Sequence, residues 1–304
     1  GQRGMAREVI TLVLFDIACV LGVVALLWWG FGLEAAALAA LVLGLGSPWG
    51  YLWTGGCFGR HLWLLFAAGG LALLGRGRPA AAGAAMATAF ALKLFPALLL
   101  VGPALVWLRC RGQEEARREF ARLAVAGAGT LAILAAAAAV TQGPGVFGEF
   151  AANIASLQTS PKGHDIGLPV LVGAWLLDGP ASAAEAWVSA GLLVGVLAAW
   201  ALAARRFSAW QSAALAPLAL VLSTRVLGYY GVFLVLLAPA CRGSAVRSGV
   251  LGSAVIACLV PGALGWAGPS SSRFQTMALI LGAAAVAISL WRRERGPATT
   301  RQPD

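Results

Sequence analysis

Between Pro79 and Trp107 the chain runs through about thirty mostly apolar residues, bounded by Arg76-Gly77-Arg78 before and Arg109-Cys110-Arg111 after. One uninterrupted helix of that length would reach roughly 45 Å, well beyond the ~30 Å hydrocarbon core of a bilayer. Basic clusters mark the cytoplasmic ends of membrane spans. Both ends of this segment are basic, so it is expected to cross an even number of times, going out and returning. The turn then falls at Lys93-Leu94-Phe95-Pro96, and Lys93, one of two lysines in the chain, sits at the outer face. A cation held there suits an anionic ligand.

The composition carries the same expectation through the whole chain, that of an all-α, polytopic integral membrane protein. Apolar residues make up 60% and charged residues 11%, with a mean hydropathy of +0.83, outside the range of ordinary soluble domains. The net charge of +10 does not point to nucleic acid, because the arginines stand in short clusters between apolar runs, the positive-inside pattern. The five cysteines show no paired spacing. Most lie in or beside apolar runs, so they read as small core residues and no metal site is expected. No cofactor is implied. Abundant Ala, Gly, Leu and Arg with almost no Lys point to a bacterial source.

The predicted spans are Glu8–Trp29, Leu33–Leu45, His61–Gly75, Pro79–Lys93, Pro96–Arg109, Arg122–Thr141, Ala183–Ala204, Ala209–Ser223, Val226–Ala240, Val246–Ala267 and Gln275–Trp291. That makes about eleven transmembrane or half-spanning helices in one membrane domain over residues 1–304, with helical hairpins at 79–109 and 209–240. Residues 109–122 form a cytoplasmic loop, 142–182 a long outer loop and 292–304 a cytoplasmic tail. Several spans are thirteen to fifteen residues long, roughly 20 Å, which leaves room for a cavity open to one face. This alternation puts the first residues outside, with Arg3 and Arg7. A chain beginning there resembles the middle of a longer protein, so an N-terminal truncation is expected.

The polar residues expected at the outer face are few. Arg60 and His61 end the loop before the third span. Lys93 and Arg225 occupy the two hairpin turns, with Tyr229 and Tyr230 one turn beyond Arg225. The long loop brings Glu149, Lys162, His164 and Asp165. Charged groups near a membrane interior are costly and default to a functional reading. Each also has a plainer one. Lys93 can snorkel to the interface, Arg225 can serve helix carbonyls or a loop carboxylate, and His61 can be an interfacial anchor. Asp16, inside the first span, is either functional or paired with a neighbouring helix. Trp28, Trp29, Trp49 and Trp53 read as an aromatic belt.

The stretch Arg78-Pro79, Ala81-Ala82-Gly83, then Ala91-Leu92-Lys93-Leu94-Phe95-Pro96 and a basic loop resembles glycosyltransferase family 87, also labelled DUF2029. These are polyprenyl-phosphate-sugar-dependent membrane enzymes of the GT-C superfamily. Gly59-Arg60-His61-Leu62 resembles the family's Gly-Gln-x-Asn stretch, with Arg60 in place of the glutamine and no asparagine. Ser223-Thr224-Arg225 through Tyr229-Tyr230 resembles its Ser-Pro-Arg-x-x-x-Tyr-Asp stretch, with Thr224 for proline and Tyr230 for aspartate. The likeness runs over roughly residues 8 to 290, with few sharp motifs.

The resemblance implies an inverting hexosyl- or pentosyltransferase in the bacterial inner membrane. It would move a mannose- or arabinose-like sugar from a polyprenyl-phosphate donor to a lipid or glycan acceptor at the extracytoplasmic face. A carboxylate base would deprotonate the acceptor, and cations would hold the leaving phosphate. Lys93, Arg225, Arg60, His61, Tyr229, Tyr230 and His164 are the implied substrate-binding set. In the superfamily the base is an aspartate of the first outer loop, expected here upstream of Gly1, which leaves Asp165, Glu149 and Asp16 as substitutes within the chain. The rival reading is a secondary transporter or lipid flippase, whose coupling charges would lie nearer the midplane.

Overall fold

A computed structural model describes residues 2–45, 61–110, 112–158, 165–169, 171–172, 183–223, 226–264 and 269–293. Among these the chain is almost wholly α-helical. The helices are α1 (Gln2–Phe31), α2 (Leu33–Leu45), α3 (Leu62–Gly75), α4 (Pro79–Leu92), α5 (Leu98–Arg109), α6 (Glu114–Gln142) and α7 (Val146–Gln158). They continue with α8 (Ala183–Ala203), α9 (Ala209–Ala214), α10 (Ala216–Ser223), α11 (Ala238–Cys241), α12 (Ala245–Ala257), α13 (Val260–Ala263) and α14 (Pro269–Arg293). Among the described residues the one ladder is a two-residue antiparallel pair, β1 (Asp165–Ile166) with β2 (Val226–Leu227).

Among the described residues three stretches are long and apolar enough to cross a membrane, Ile10–Phe31, Glu114–Gln142 and Arg273–Arg292, and eight shorter apolar helices accompany them. The long ones show apolar side chains to their surroundings. On α6, Val125, Ile133 and Val140 are 73%, 71% and 85% exposed. Apolar faces this extensive are what lipid would cover.

Local sequence sets the turns. Gly77 adopts φ 67° between Arg76 and Arg78, a left-handed conformation that glycine reaches without strain, and Pro79 opens α4 where its missing N–H costs nothing. This reverses the chain between α3 and α4. Gly32, at φ 91°, separates α1 from α2 in the same way. Lys93 ends α4 in extended backbone (φ −152°, ψ 139°), and a 3-10 turn over Phe95–Ala97 leads into α5.

Small residues let the helices approach closely. A Cβ on Gly83 of α4 would collide with the carbonyl oxygen of Leu123 on α6. One on Gly102 of α5 would lie 2.6 Å from the backbone of Ser212 and Ala213 on α9, and one on Gly70 of α3 would lie 2.6 Å from Met86 on α4. The core so formed runs from Val23 and Leu27 through Trp63, Leu64, Leu71 and Met86 to Phe233 and Leu236.

Several predicted elements differ. The span expected over Ala209–Ser223 is two helices, α9 and α10, that meet at Leu215, and α6 begins at Glu114, within the loop expected over 109–122. The span expected over Val226–Ala240 is instead β2, a 3-10 stretch over Gly228–Leu237 and the short α11. Pro239 lacks the N–H that an α-helix would need there, and at ~2 Å rise per residue ten 3-10 residues still cover ~20 Å. The span expected over Val246–Ala267 is interrupted after Ala257, because Pro261 cannot donate to the Ala257 carbonyl. The long loop contains α7, released from α6 by Gly143 at φ 83° followed by Pro144.

Candidate functional site

The basic clusters gather at one end of the bundle. Arg76 donates from Nε to the Trp29 carbonyl at 3.1 Å, and Arg76 and Arg78 both lie over the Trp29 ring. Two residues on, Phe31 packs against Trp210 with ring centroids 4.9 Å apart. Arg109 donates to the Ala201 carbonyl at 3.0 Å, and Arg206 stands over Trp291, the neighbour of Arg292. Glu34, at the start of α2, accepts from the Gly243 N–H at 2.8 Å and the Ser248 hydroxyl at 3.2 Å. Arg242 and Arg247 are joined there by the Arg247 guanidinium donating to the Arg242 carbonyl.

At the opposite end lies a buried acid–imidazole pair. Because α1 and α3 run parallel from the Asp16–His61 contact to the Trp29–Arg76 contact, Asp16 meets the residue that caps the start of α3. Its Oδ1 accepts the His61 backbone N–H at 3.0 Å and its Oδ2 stands 2.7 Å from His61 Nδ1. Asp16 is 2% exposed and His61 7%. An ionised carboxylate only accepts, so with Asp16 charged it is the Nδ1–H of His61 that donates in this contact. Asp16 lies about 9 Å along the helix axis from Ile10 and about 22 Å from Phe31, by helical rise. The pair thus sits within an apolar stretch, where an uncompensated carboxylate would be costly.

Lys93 shares this end. The α3–α4 hairpin brings the last turn of α4 beside the first turn of α3. Trp63 then meets Phe95 at 4.8 Å and Phe233 at 5.8 Å, and Phe95 meets Phe233 at 5.3 Å. Lys93 itself is half-buried, its backbone N–H bonded to the Ala89 carbonyl at 3.0 Å. Phe233 belongs to the 3-10 stretch that follows β2, and β2 pairs Leu227 with Asp165 and Val226 with Ile166. The long loop is therefore fastened, through its backbone, to the segment that follows Arg225.

Of the predicted site residues, Asp16, His61 and Lys93 are brought to one end. Asp165 joins by its backbone in β1, and Tyr229 and Tyr230 by theirs in the 3-10 stretch. Glu149 is exposed on α7. Arg60, His164 and Arg225 lie outside the described residues, as do Trp49 and Trp53. Trp29 of the expected belt instead receives the two arginines. Among the described residues no three His, Cys, Asp or Glu side chains form a group able to hold a metal ion.

Sequence reasoning allowed Asp16 a partner on a neighbouring helix but did not name His61 as that partner. The signal was present: a lone carboxylate in an apolar helix demands a partner, and the chain has only two histidines. The aromatic cluster of Trp63, Phe95 and Phe233 was also missed, having no local signature.

No protein-family model, no curated protein and no solved structure matches the chain.

Proposed function

We propose that the chain is a multi-pass glycosyltransferase of the GT-C kind, with about eleven spanning or half-spanning helices in the bacterial inner membrane. It moves a mannose- or arabinose-like sugar from a polyprenyl-phosphate donor to a lipid or glycan acceptor. The basic end faces the cytoplasm and the Lys93 end faces outward. The observation that carries this reading is the placement of Lys93 and the Asp16–His61 pair together at the end away from the arginine clusters. Departure of a lipid phosphate calls for a cation, and activation of a hydroxyl calls for a proton acceptor. Both chemistries are available at that end, and the resemblance of the Lys93 and Arg225 segments to family 87 supplies the substrate class. The test is transfer by the protein in lipid nanodiscs, supplied with polyprenyl-phosphate mannose or arabinose and an acceptor glycolipid. Release of polyprenyl phosphate with a new glycosidic product supports the reading, and the absence of both release and saturable binding for both donors overturns it.

The Asp16–His61 pair also favours a second reading, a proton-coupled transporter or lipid flippase, since ionisable pairs within apolar helices serve as proton relays. That protein would move the donor across a vesicle membrane with a pH dependence and leave its glycosidic bond intact.

A further inference from the structure

We propose that Arg76, Arg78 and Trp29 form a binding site for one anionic phospholipid, its headgroup on the two guanidiniums and an acyl chain along α1. The site is independent of sugar transfer and rests only on the membrane part of the reading above. Both guanidiniums lie over the same indole, 5.0 and 5.9 Å from its centroid, and both arginines are exposed. Arg76 spends Nε and Nη2 on the Trp29 carbonyl at 3.1 and 2.5 Å, two of the five N–H groups that a guanidinium carries. Among the described residues Arg78 makes the ring contact and no side-chain hydrogen bond. One arginine suffices to close the end of α1, so the second cation over the same ring calls for another cause. Like charges gathered in this way repel, and an anion between them relieves the repulsion.

The protein does not supply that anion among its described residues, where the ion pairs are Asp16–His61 and Glu114–Arg118. Glu34, the carboxylate nearest to Trp29 in sequence, accepts instead from the Gly243 N–H and the Ser248 hydroxyl. The surroundings select a lipid over a free anion. Trp28 and Leu33, on either side of the α1–α2 turn, are exposed. Ile17, Leu21 and Trp28 share one exposed face of α1, while Gly22 and Gly30 on another face meet Leu65 and Ala72 of α3. From Ile17 to Trp28 this stripe is ~16 Å long, the depth of one leaflet of a ~30 Å hydrocarbon core. A headgroup on the arginines therefore sets an acyl chain along a stripe of matching length, with tryptophan where headgroup meets chain. Basic pockets between helices at a cytoplasmic face take anionic headgroups in this manner.

The test is lipid binding to the full chain in detergent micelles, read by native mass spectrometry. The probes are dioleoyl phosphatidylglycerol and phosphatidylcholine with the same chains. The first phosphatidylglycerol is expected to bind about tenfold or more tighter than phosphatidylcholine. Arg78→Gln should weaken it about fivefold, and Arg76→Gln/Arg78→Gln should bring the two lipids to parity. Arg78→Gln removes no hydrogen bond seen among the described residues, so it carries the test should the double variant fail to fold. Arg206→Gln/Arg292→Gln removes the same charge elsewhere at that end and should leave the preference in place. An equal loss in that control means diffuse surface charge and overturns the proposal. A wild type without the preference, or a preference that the Arg76 and Arg78 variants leave unchanged, overturns it as well. Glycerol 3-phosphate separates a lipid site from a site for a free anion, and its displacing phosphatidylglycerol at equal concentration overturns the lipid assignment. A chain that stays monodisperse in water without detergent removes the membrane reading and this site with it.

Discussion

Trp63 meets Phe95 edge to face, with ring centroids 4.8 Å apart and planes at 77°. Trp63 stands two residues after His61 and Phe95 two after Lys93. The contact therefore ties the start of α3 to the turn between α4 and α5, and it sets the buried imidazole and the half-buried ammonium at one end of the bundle. Aromatic pairs of this geometry add about 0.5–1.5 kcal/mol beyond their buried area. The pairing is a structural link, since it holds the Lys93 turn and the acid–imidazole pair at the same end.

Lys93 is accordingly expected to bind the phosphate of the donor lipid. Charge-assisted hydrogen bonds contribute about 1.5–3 kcal/mol each, so Lys93→Ala should weaken polyprenyl-phosphate binding by about tenfold or more. Lys93→Arg should keep part of the affinity, because charge matters more than shape at a phosphate free to shift. Titration of nanodisc-embedded protein with a short-chain polyprenyl phosphate measures both variants. Equal affinity in wild type and Lys93→Ala, with the fold intact, would make Lys93 a snorkelling residue.

The sidedness of the bundle gives a second expected outcome. Arg76, Arg78, Arg109, Arg206 and Arg242 lie at one end, and basic ends face the cytoplasm. In a background without the native cysteines, Lys93→Cys should react in intact cells with a membrane-impermeant thiol reagent. Gln113→Cys, between α5 and α6, should react only after permeabilisation. The reverse pattern would invert the assignment of faces and place Lys93 inside.

Much of the helical framework was legible in the sequence, and the reason is local. Arg-Gly-Arg-Pro at 76–79 encodes a left-handed turn and a helix start, and Leu33–Leu45 is a run after a glycine that is apolar but for Glu34 in its first turn. The turn at Lys93 was legible because one helix could not fit between two basic ends. The interruptions at Pro239 and Pro261 were not read, since the apolar runs continue through both prolines and hydropathy does not register a missing N–H. Helices apolar on every side also carry no moment that would reveal which face meets which neighbour. For that reason Gly83 against Leu123 and Gly102 against Ser212 emerged only from the packing. The site was legible as a set of unusual residues but not as pairs: a charge in an apolar helix signals a partner without naming it, and His61 lies 45 residues from Asp16.

The close approach of α4 to α6 predicts a sharp contrast between two glycines. A side chain at Gly83 would run into the Leu123 carbonyl, a backbone atom that cannot rotate away, whereas nothing lies within 4 Å of a Cβ placed on Gly129 of α6. Gly83→Leu should therefore cost about 1–3 kcal/mol or more of stability through overpacking. Gly129→Leu should be neutral or slightly stabilising, because leucine is the better helix former. Thermal unfolding of the two variants in the same detergent, followed by size-exclusion, compares them directly. Equal melting points would mean that the α4–α6 contact does not hold the bundle together.

The Asp16–His61 pair should behave as one energetic unit. Removing either member leaves a buried polar group of the other without its partner, whereas removing both leaves neither stranded. Asp16→Ala should be the more costly single change, because it takes away the acceptor of both the His61 backbone N–H and the ring, while His61→Ala leaves the backbone bond in place. The double variant should then be less destabilised than the sum of the two singles by about 1–3 kcal/mol, the size of coupling found for buried contacting pairs. A double-mutant cycle built from unfolding in mixed micelles measures that difference. Strict additivity would show that the two side chains do not interact in the folded protein.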